Sequence, residues 1–143
     1  MATRSTIAKL GKDGIIKSVY CHSNGYLEWN GRILNEHYRD ESKVDELLAH
    51  GDISSLDKNI GEKLPFNDYT SFIEKEQCRF YHRDRGEESK INEFTSTKDY
   101  SDYGKEIGSY IYLYAYGEWY IYKDGSFVEL EEELKEVNVW VVG

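Results

Sequence analysis

Tyr110, Tyr112, Tyr114 and Tyr116 alternate with Ile111, Leu113 and Ala115, and a period of two is the period of a β-strand. A strand this rich in rings needs partners, and the residues after it supply them. Gly117 permits a turn, Trp119-Tyr120-Ile121-Tyr122 returns, and Lys123-Asp124-Gly125 turns again into Ser126 to Leu130. The C-terminal third therefore reads as an antiparallel meander, with a further strand predicted over Val137 to Val142 after a short link through Glu131 to Glu136.

The other end of the chain repeats the theme. Arg4 to Leu10 and Ile15 to Cys21 flank Gly11-Lys12-Asp13-Gly14, which predicts an opening hairpin. Between the hairpin and the meander, Leu27, Trp29, Ile33, Leu34 and Tyr38 follow a helical spacing broken at Gly31. A second helix is expected from a cap at Asp40 or Ser42, with Val44, Leu47 and Leu48 on one face and an end near Gly51. Asp52 to Thr70, which contains Pro65, reads as a long connection. Phe72-Ile73 and Cys78-Arg79-Phe80-Tyr81 read as short strands, Arg83 to Asn92 as a loop, and Thr97 to Lys105 as a short helix. The predicted class is α+β: an antiparallel sheet made from an N-terminal hairpin and a C-terminal meander, with two or three helices in between. With 143 residues, a single domain spanning 1–143 is expected.

Charge narrows the range of partners. Lys plus Arg number 18 and Asp plus Glu 27, a net charge of -9, the wrong sign for a general nucleic-acid binder. No apolar run is long enough for a membrane span or a signal peptide, so the expected compartment is the cytoplasm, with Cys21 and Cys78 as free thiols. Glu118, Asp124, Glu129, Glu131, Glu132, Glu133 and Glu136 concentrate negative charge near the C-terminus. Such a face either keeps a protein soluble or imitates a phosphate backbone.

Against this background Arg79-Phe80-Tyr81-His82-Arg83-Asp84-Arg85-Gly86 is a local reversal of sign, three arginines beside aromatic rings. Guanidinium groups suit bidentate capture of phosphate or carboxylate, and rings suit stacking on a base. The candidate ligand-binding residues are therefore Arg79, Tyr81, Arg83 and Arg85, with Arg4, His22 and Tyr26 behind them. The bland alternative is ion pairing of the arginines with Asp84, Glu87 and Glu88. His82-Arg83-Asp84 echoes a kinase catalytic loop, but Ser89 stands where a metal-binding Asn is required. Cys21, His22, Cys78 and His82 do not match common zinc spacings, so no metal and no cofactor are expected. Cys21 beside His22 is a poor nucleophile pair, because strand neighbours point to opposite faces. His22, Asp52 and Asp84 could form an acid-base set, though no spacing demands it, and no catalytic residues are assigned.

The run Ala2-Thr3-Arg4-Ser5-Thr6-Ile7-Ala8 resembles the start of a family of small uncharacterised proteins of tailed bacteriophages and prophages. The likeness extends through Tyr20-Cys21-His22, Gly25-Tyr26-Leu27, His37-Tyr38, Gly51-Asp52-Ile53-Ser54-Ser55-Leu56, Arg83-Asp84-Arg85-Gly86 and Gly117-Glu118-Trp119-Tyr120. Relatives carry Trp-Asp or Phe-Asp where this chain has Ser23-Asn24. The resemblance implies a viral accessory protein in the host bacterial cytoplasm that acts by stoichiometric binding.

Three functions are thus open. The first is a non-enzymatic phage protein that counters host defence by binding an anionic small molecule such as a nucleotide signal. The second is an acidic inhibitor that occupies a host defence protein by mimicking nucleic acid. The third is an enzyme. Neither direct nucleic-acid binding nor a membrane is expected, and an exposed tyrosine strand would favour a homodimer.

Overall fold

A computed structural model describes residues 2–142, with side chains through 137. Its strands are β1 (Ser5–Leu10), β2 (Ile16–Cys21), β3 (Ile53–Ser55), β4 (Arg79–Phe80), β5 (Asn92–Phe94), β6 (Tyr110–Ala115), β7 (Glu118–Lys123) and β8 (Ser126–Glu129). The helices are α1 (Arg32–His37), α2 (Glu41–Ala49), α3 (Tyr69–Glu74), α4 (Tyr81–Arg85), α5 (Thr97–Glu106) and α6 (Leu130–Val142), with a π-helical turn over Leu27–Gly31 before α1. The class is α+β. Among the described residues no helix is long and apolar enough to cross a membrane.

The strands join one sheet in the order β4-β3-β2-β1-β6-β7-β8, with β5 also paired to β2. The hairpin and the meander are both present, but the sheet is mixed and not antiparallel as expected: β1 runs parallel to β6, and β2 parallel to β3. Hairpin patterns report only sequence neighbours. The two parallel seams are made by segments far apart in the chain, and no local signal encodes them.

Both faces of the sheet are covered. On one side Ile7, Val19, Cys21, Ile53, Phe80, Tyr112, Tyr114 and Trp119 pack with residues of α1, α2 and α6. On the other Ala8, Ile16, Ile111, Leu113 and Ala115 pack against Tyr100 of α5. The tyrosine strand is therefore central, and its alternation distributes rings to one core and aliphatic side chains to the other. Its buried hydroxyls find partners, as buried phenols must: Tyr112 donates to the Gly25 carbonyl at 2.7 Å and Tyr114 to that of Arg39 at 2.9 Å. Only Tyr116 is fully open, at 88 % exposure. A platform of four exposed tyrosines is therefore not formed, since Tyr112 and Tyr114 are buried.

The turns of the meander have the chemistry their residues demand. Tyr116-Gly117 and Asp124-Gly125 each adopt positive φ at both positions, giving the two-residue turns whose twist suits a hairpin. Gly31 does not break the first helical segment but continues it in helical geometry. The Asp40 side chain caps α2 by accepting from the Ser42 amide at 3.0 Å.

Several local expectations fail. Phe72-Ile73 lies in α3, which Asp68 caps through the Ser71 amide and hydroxyl and of which only Phe72 is buried. The strand expected over Cys78 to Tyr81 shrinks to two residues, because Tyr81 already starts α4, and that helix replaces the start of the loop predicted from Arg83. Ile53–Ser55 is a strand within the segment expected to be a long connection, and Asn92–Phe94 is a strand that starts at the last residue of the predicted loop. Val137 to Val142 continues α6, since a helix already nucleated upstream gains a hydrogen bond for each residue added and outweighs the β preference of valine.

Candidate functional site

Register brings distant residues of the sheet into a single row. Ser5 pairs with Cys21, Cys21 with Ile53, and Ile53 with Phe80. These face the larger core, so their neighbours Arg4, His22, Ser54 and Arg79 project from the opposite face. Adjacent strands lie about 4.8 Å apart, so the row from β1 to β4 spans roughly 14 Å. A contact ties its far end together: Arg79 Nε donates to Ser54 Oγ at 3.2 Å.

The arginine end of this row is built on aromatic rings. The Arg79 guanidinium lies 4.0 Å from the Phe66 ring centre and 4.8 Å from that of Tyr69. Arg85 lies 4.6 Å from the same Phe66 ring and 5.3 Å from Tyr81. Phe66 and Tyr81 themselves pack at 5.8 Å. Two cations share one ring, which attracts them through its electron-rich face. Arg85 also pairs with Glu87. Arg79 makes no ion pair among the described residues; burial followed by the nearby Arg85 charge pushes its pKa down, against the raising influence of Tyr69, Tyr81 and Asp84.

Tyr20 links the row to Arg4. Its hydroxyl lies 2.7 Å from His22 Nδ1, and Arg4 and Tyr81 both sit close enough to act on its ionisation. Burial is the largest influence and holds the Tyr20 phenol above its usual range, while Arg4 opposes it. In the tautomer whose Nδ1 accepts the hydroxyl, His22 Nε2 carries a proton and is free to donate.

Of the residues singled out from the sequence, Arg79, Tyr81 and Arg85 are joined through the Phe66 ring, while Arg4, Tyr81 and His22 are linked through Tyr20. Arg83 is not among them. Its Nε and Nη2 contact the Asp84 carboxylate at 3.0 and 3.3 Å, and its remaining hydrogens go to the carbonyls of Ile60, Gly61 and Cys78. All five N–H donors are spent within the protein, so Arg83 is a structural clamp. Tyr26 heads the π-helical turn, its carbonyl accepting from Trp29 and Gly31, and no described contact joins it to the arginines. Cys21 and Cys78 are buried free thiols and His22 faces away from them. Burial pushes the Cys21 thiol up to about 12 and raises that of Cys78.

Sequence reading missed Phe66, Tyr69, Ser54 and Tyr20. An aromatic pair three residues apart after Pro65 was the available signal for the first two, but only the fold carries them to the arginines.

Next to Tyr20 lies a cavity of about 740 Å³ lined in part by Tyr20, His50, Asp52, His82, Asn92 and Tyr103. The Asp52 Oδ1 accepts the Tyr20 amide at 3.0 Å, and burial raises its pKa, with Glu87 adding to the shift. The His50 ring stacks on Phe80, centres 4.4 Å apart. Burial, then the Arg83 charge, lowers its pKa. A histidine harder to protonate in the folded protein than in the unfolded chain contributes stability above the unfolded value of about 6.5, and that contribution is lost as pH falls below it. Replacing His50 by Phe retains the stack and removes the titration, so the drop in melting temperature from pH 7.5 to pH 5 should be smaller in His50→Phe than in the parent. An unchanged drop would assign the titration to other groups.

Comparison with known protein families, with curated proteins and with solved structures found no match.

Proposed function

We propose that this chain is a non-catalytic binding protein for a small anionic ligand carrying a planar ring, held by Arg4, His22, Arg79 and Arg85 with Tyr81 and Phe66 beside it. The observation that carries this reading is the Arg79 side chain: a partly buried cation with no carboxylate partner among the described residues, stacked on rings in a chain of net charge -9. A cation withdrawn from water and unpaired is costly, and an arriving phosphate or carboxylate relieves that cost. The wider role proposed, a phage-encoded protein acting in the bacterial cytoplasm to sequester a nucleotide signal of host defence, rests on this face together with the resemblance to phage proteins.

The acidic alternative has weaker support. The α6 carboxylates are met from within: Glu131 by Arg39 at 3.0 Å, Glu132 by Lys135 at 3.3 Å, and Glu133 by Lys123 at 2.7 Å. Internal pairing weakens the field a basic partner would sense.

Calorimetry at low salt against nucleotides and inorganic pyrophosphate tests the proposal. Binding should weaken as salt rises, and Arg79→Gln should lower affinity by about tenfold, the worth of one charge-assisted hydrogen bond. No heat from any of these anions, with folded protein, would remove the reading.

A further inference from the structure

The arginine row and the cavity around Asp52 are successive parts of one surface. Tyr20 lines the cavity, and its hydroxyl meets Nδ1 of His22, just past the end of β2, at 2.7 Å. His82, which also lines the cavity, follows Tyr81 directly in the chain. A ligand seated on the arginines therefore has a polar cavity within its own length, of a volume usual for small-molecule sites.

The lining of that cavity is selective. Asp52 is fixed by the Tyr20 amide through Oδ1, and its Oδ2 has no protein partner among the described residues. Tyr103 accepts from Asn92 Nδ2 at 3.2 Å, which leaves its hydroxyl hydrogen to donate. The His50 ring is braced from behind by Phe80. Glu88 and Lys90 also line the cavity, one charge of each sign. A carboxylate with a free oxygen, set among Tyr20, His50 and Tyr103, favours a flat heterocycle that presents N–H donors and disfavours a second phosphate.

We infer that the ligand is a nucleotide whose base enters this cavity and is read by Asp52, with preference for a guanine-type edge that presents adjacent N–H donors. This rests on the anion-binding reading above and adds the base to it. A carboxylate accepts from the ring N–H and exocyclic amine of guanine, whereas adenine presents a bare ring nitrogen at the equivalent edge, which repels a carboxylate.

Calorimetry with GMP, AMP and inorganic pyrophosphate separates the two layers. The parent should bind GMP about tenfold or more tightly than AMP. Asp52→Asn, which retains an oxygen for the Tyr20 amide, should bring the two nucleotides to within about twofold while leaving pyrophosphate affinity unchanged. Tyr103→Phe, chosen in case the first variant misfolds, should weaken GMP but not pyrophosphate. Arg79→Gln should weaken all three ligands. If Asp52→Asn is folded and keeps the parental preference, or if the parent shows no preference, the base assignment is overturned and the anion face survives. If the folded parent binds none of the three, the anion reading fails and the base assignment fails with it.

Discussion

Asp84→Ala should destabilise the protein by about 3–5 kcal/mol, the loss typical of breaking a buried ion pair on one side. The Asp84 side chain is wholly buried. It accepts from the amides of Leu64 at 3.1 Å and Phe80 at 2.8 Å, besides its two contacts with Arg83. Removing the carboxylate strands a guanidinium that is only 11 % exposed and leaves two amides without a partner. Through Arg83 the damage extends to the carbonyls of Ile60, Gly61 and Cys78, so the segment carrying Phe66 would lose its anchor. Urea unfolding checks this, and the midpoint should drop by about 1–3 M for a protein of this size. Arg85→Ala breaks the half-exposed pair with Glu87 and serves as the control; its cost should stay below about 1 kcal/mol. Similar costs for the two variants would mean that Asp84 is not the desolvated hub described.

Gly25→Ala is expected to cost about 1–3 kcal/mol and to weaken ligand binding at temperatures where the protein is still folded. A β-carbon at Gly25 would sit 2.5 Å from the Arg4 carbonyl oxygen and 2.6 Å from its carbon, both backbone atoms that cannot rotate aside. The same residue donates its amide to the Thr3 carbonyl at 2.7 Å and accepts the Tyr112 hydroxyl through its own carbonyl. Relief of the clash must move β1 or the turn before Leu27, at the cost of overpacking a fitted interior. Since Arg4 opens the cation row, the shift should reduce GMP and pyrophosphate affinity together. Denaturant unfolding and calorimetry on the same sample test both effects, and a variant as stable as the parent would show that the close approach is not tight.

The Asp84 result bears on how an arginine cluster is read. Arg79, Arg83 and Arg85 are equivalent in a string of letters, each a cation beside rings. In the fold they divide into three environments: Arg79 stacked and, among the described residues, without a carboxylate, Arg83 enclosed by carbonyls and Asp84, and Arg85 exposed against Glu87. What separates them is the path of residues 56–68, a stretch with no periodicity that delivers both Phe66 and two of the acceptors of Arg83, the carbonyls of Ile60 and Gly61. Asp84 likewise stood in the sequence as a candidate acid; burial among two amides and a guanidinium makes it a structural anchor.

Local chemistry was enough for the hairpin of β1 and β2, the meander of β6 to β8, the capped helices α2 and α5 and the α+β class. Each depends on interactions a few residues apart: turn geometry, side-chain caps and a period of two. It was also enough to single out Arg79, Tyr81, Arg83, Arg85, Arg4, His22 and Tyr26 as candidates, without telling the enclosed Arg83 from the others. Only tertiary structure decided the parallel seams β1–β6 and β2–β3, the burial of Tyr112 and Tyr114, the helical state of α3, α4 and the end of α6, and the placing of Asp52, His50 and Tyr103 around one cavity. These depend on pairings between residues tens of positions apart, whose free energy comes from strand registry and burial on both sheet faces, and a reading confined to short windows contains neither.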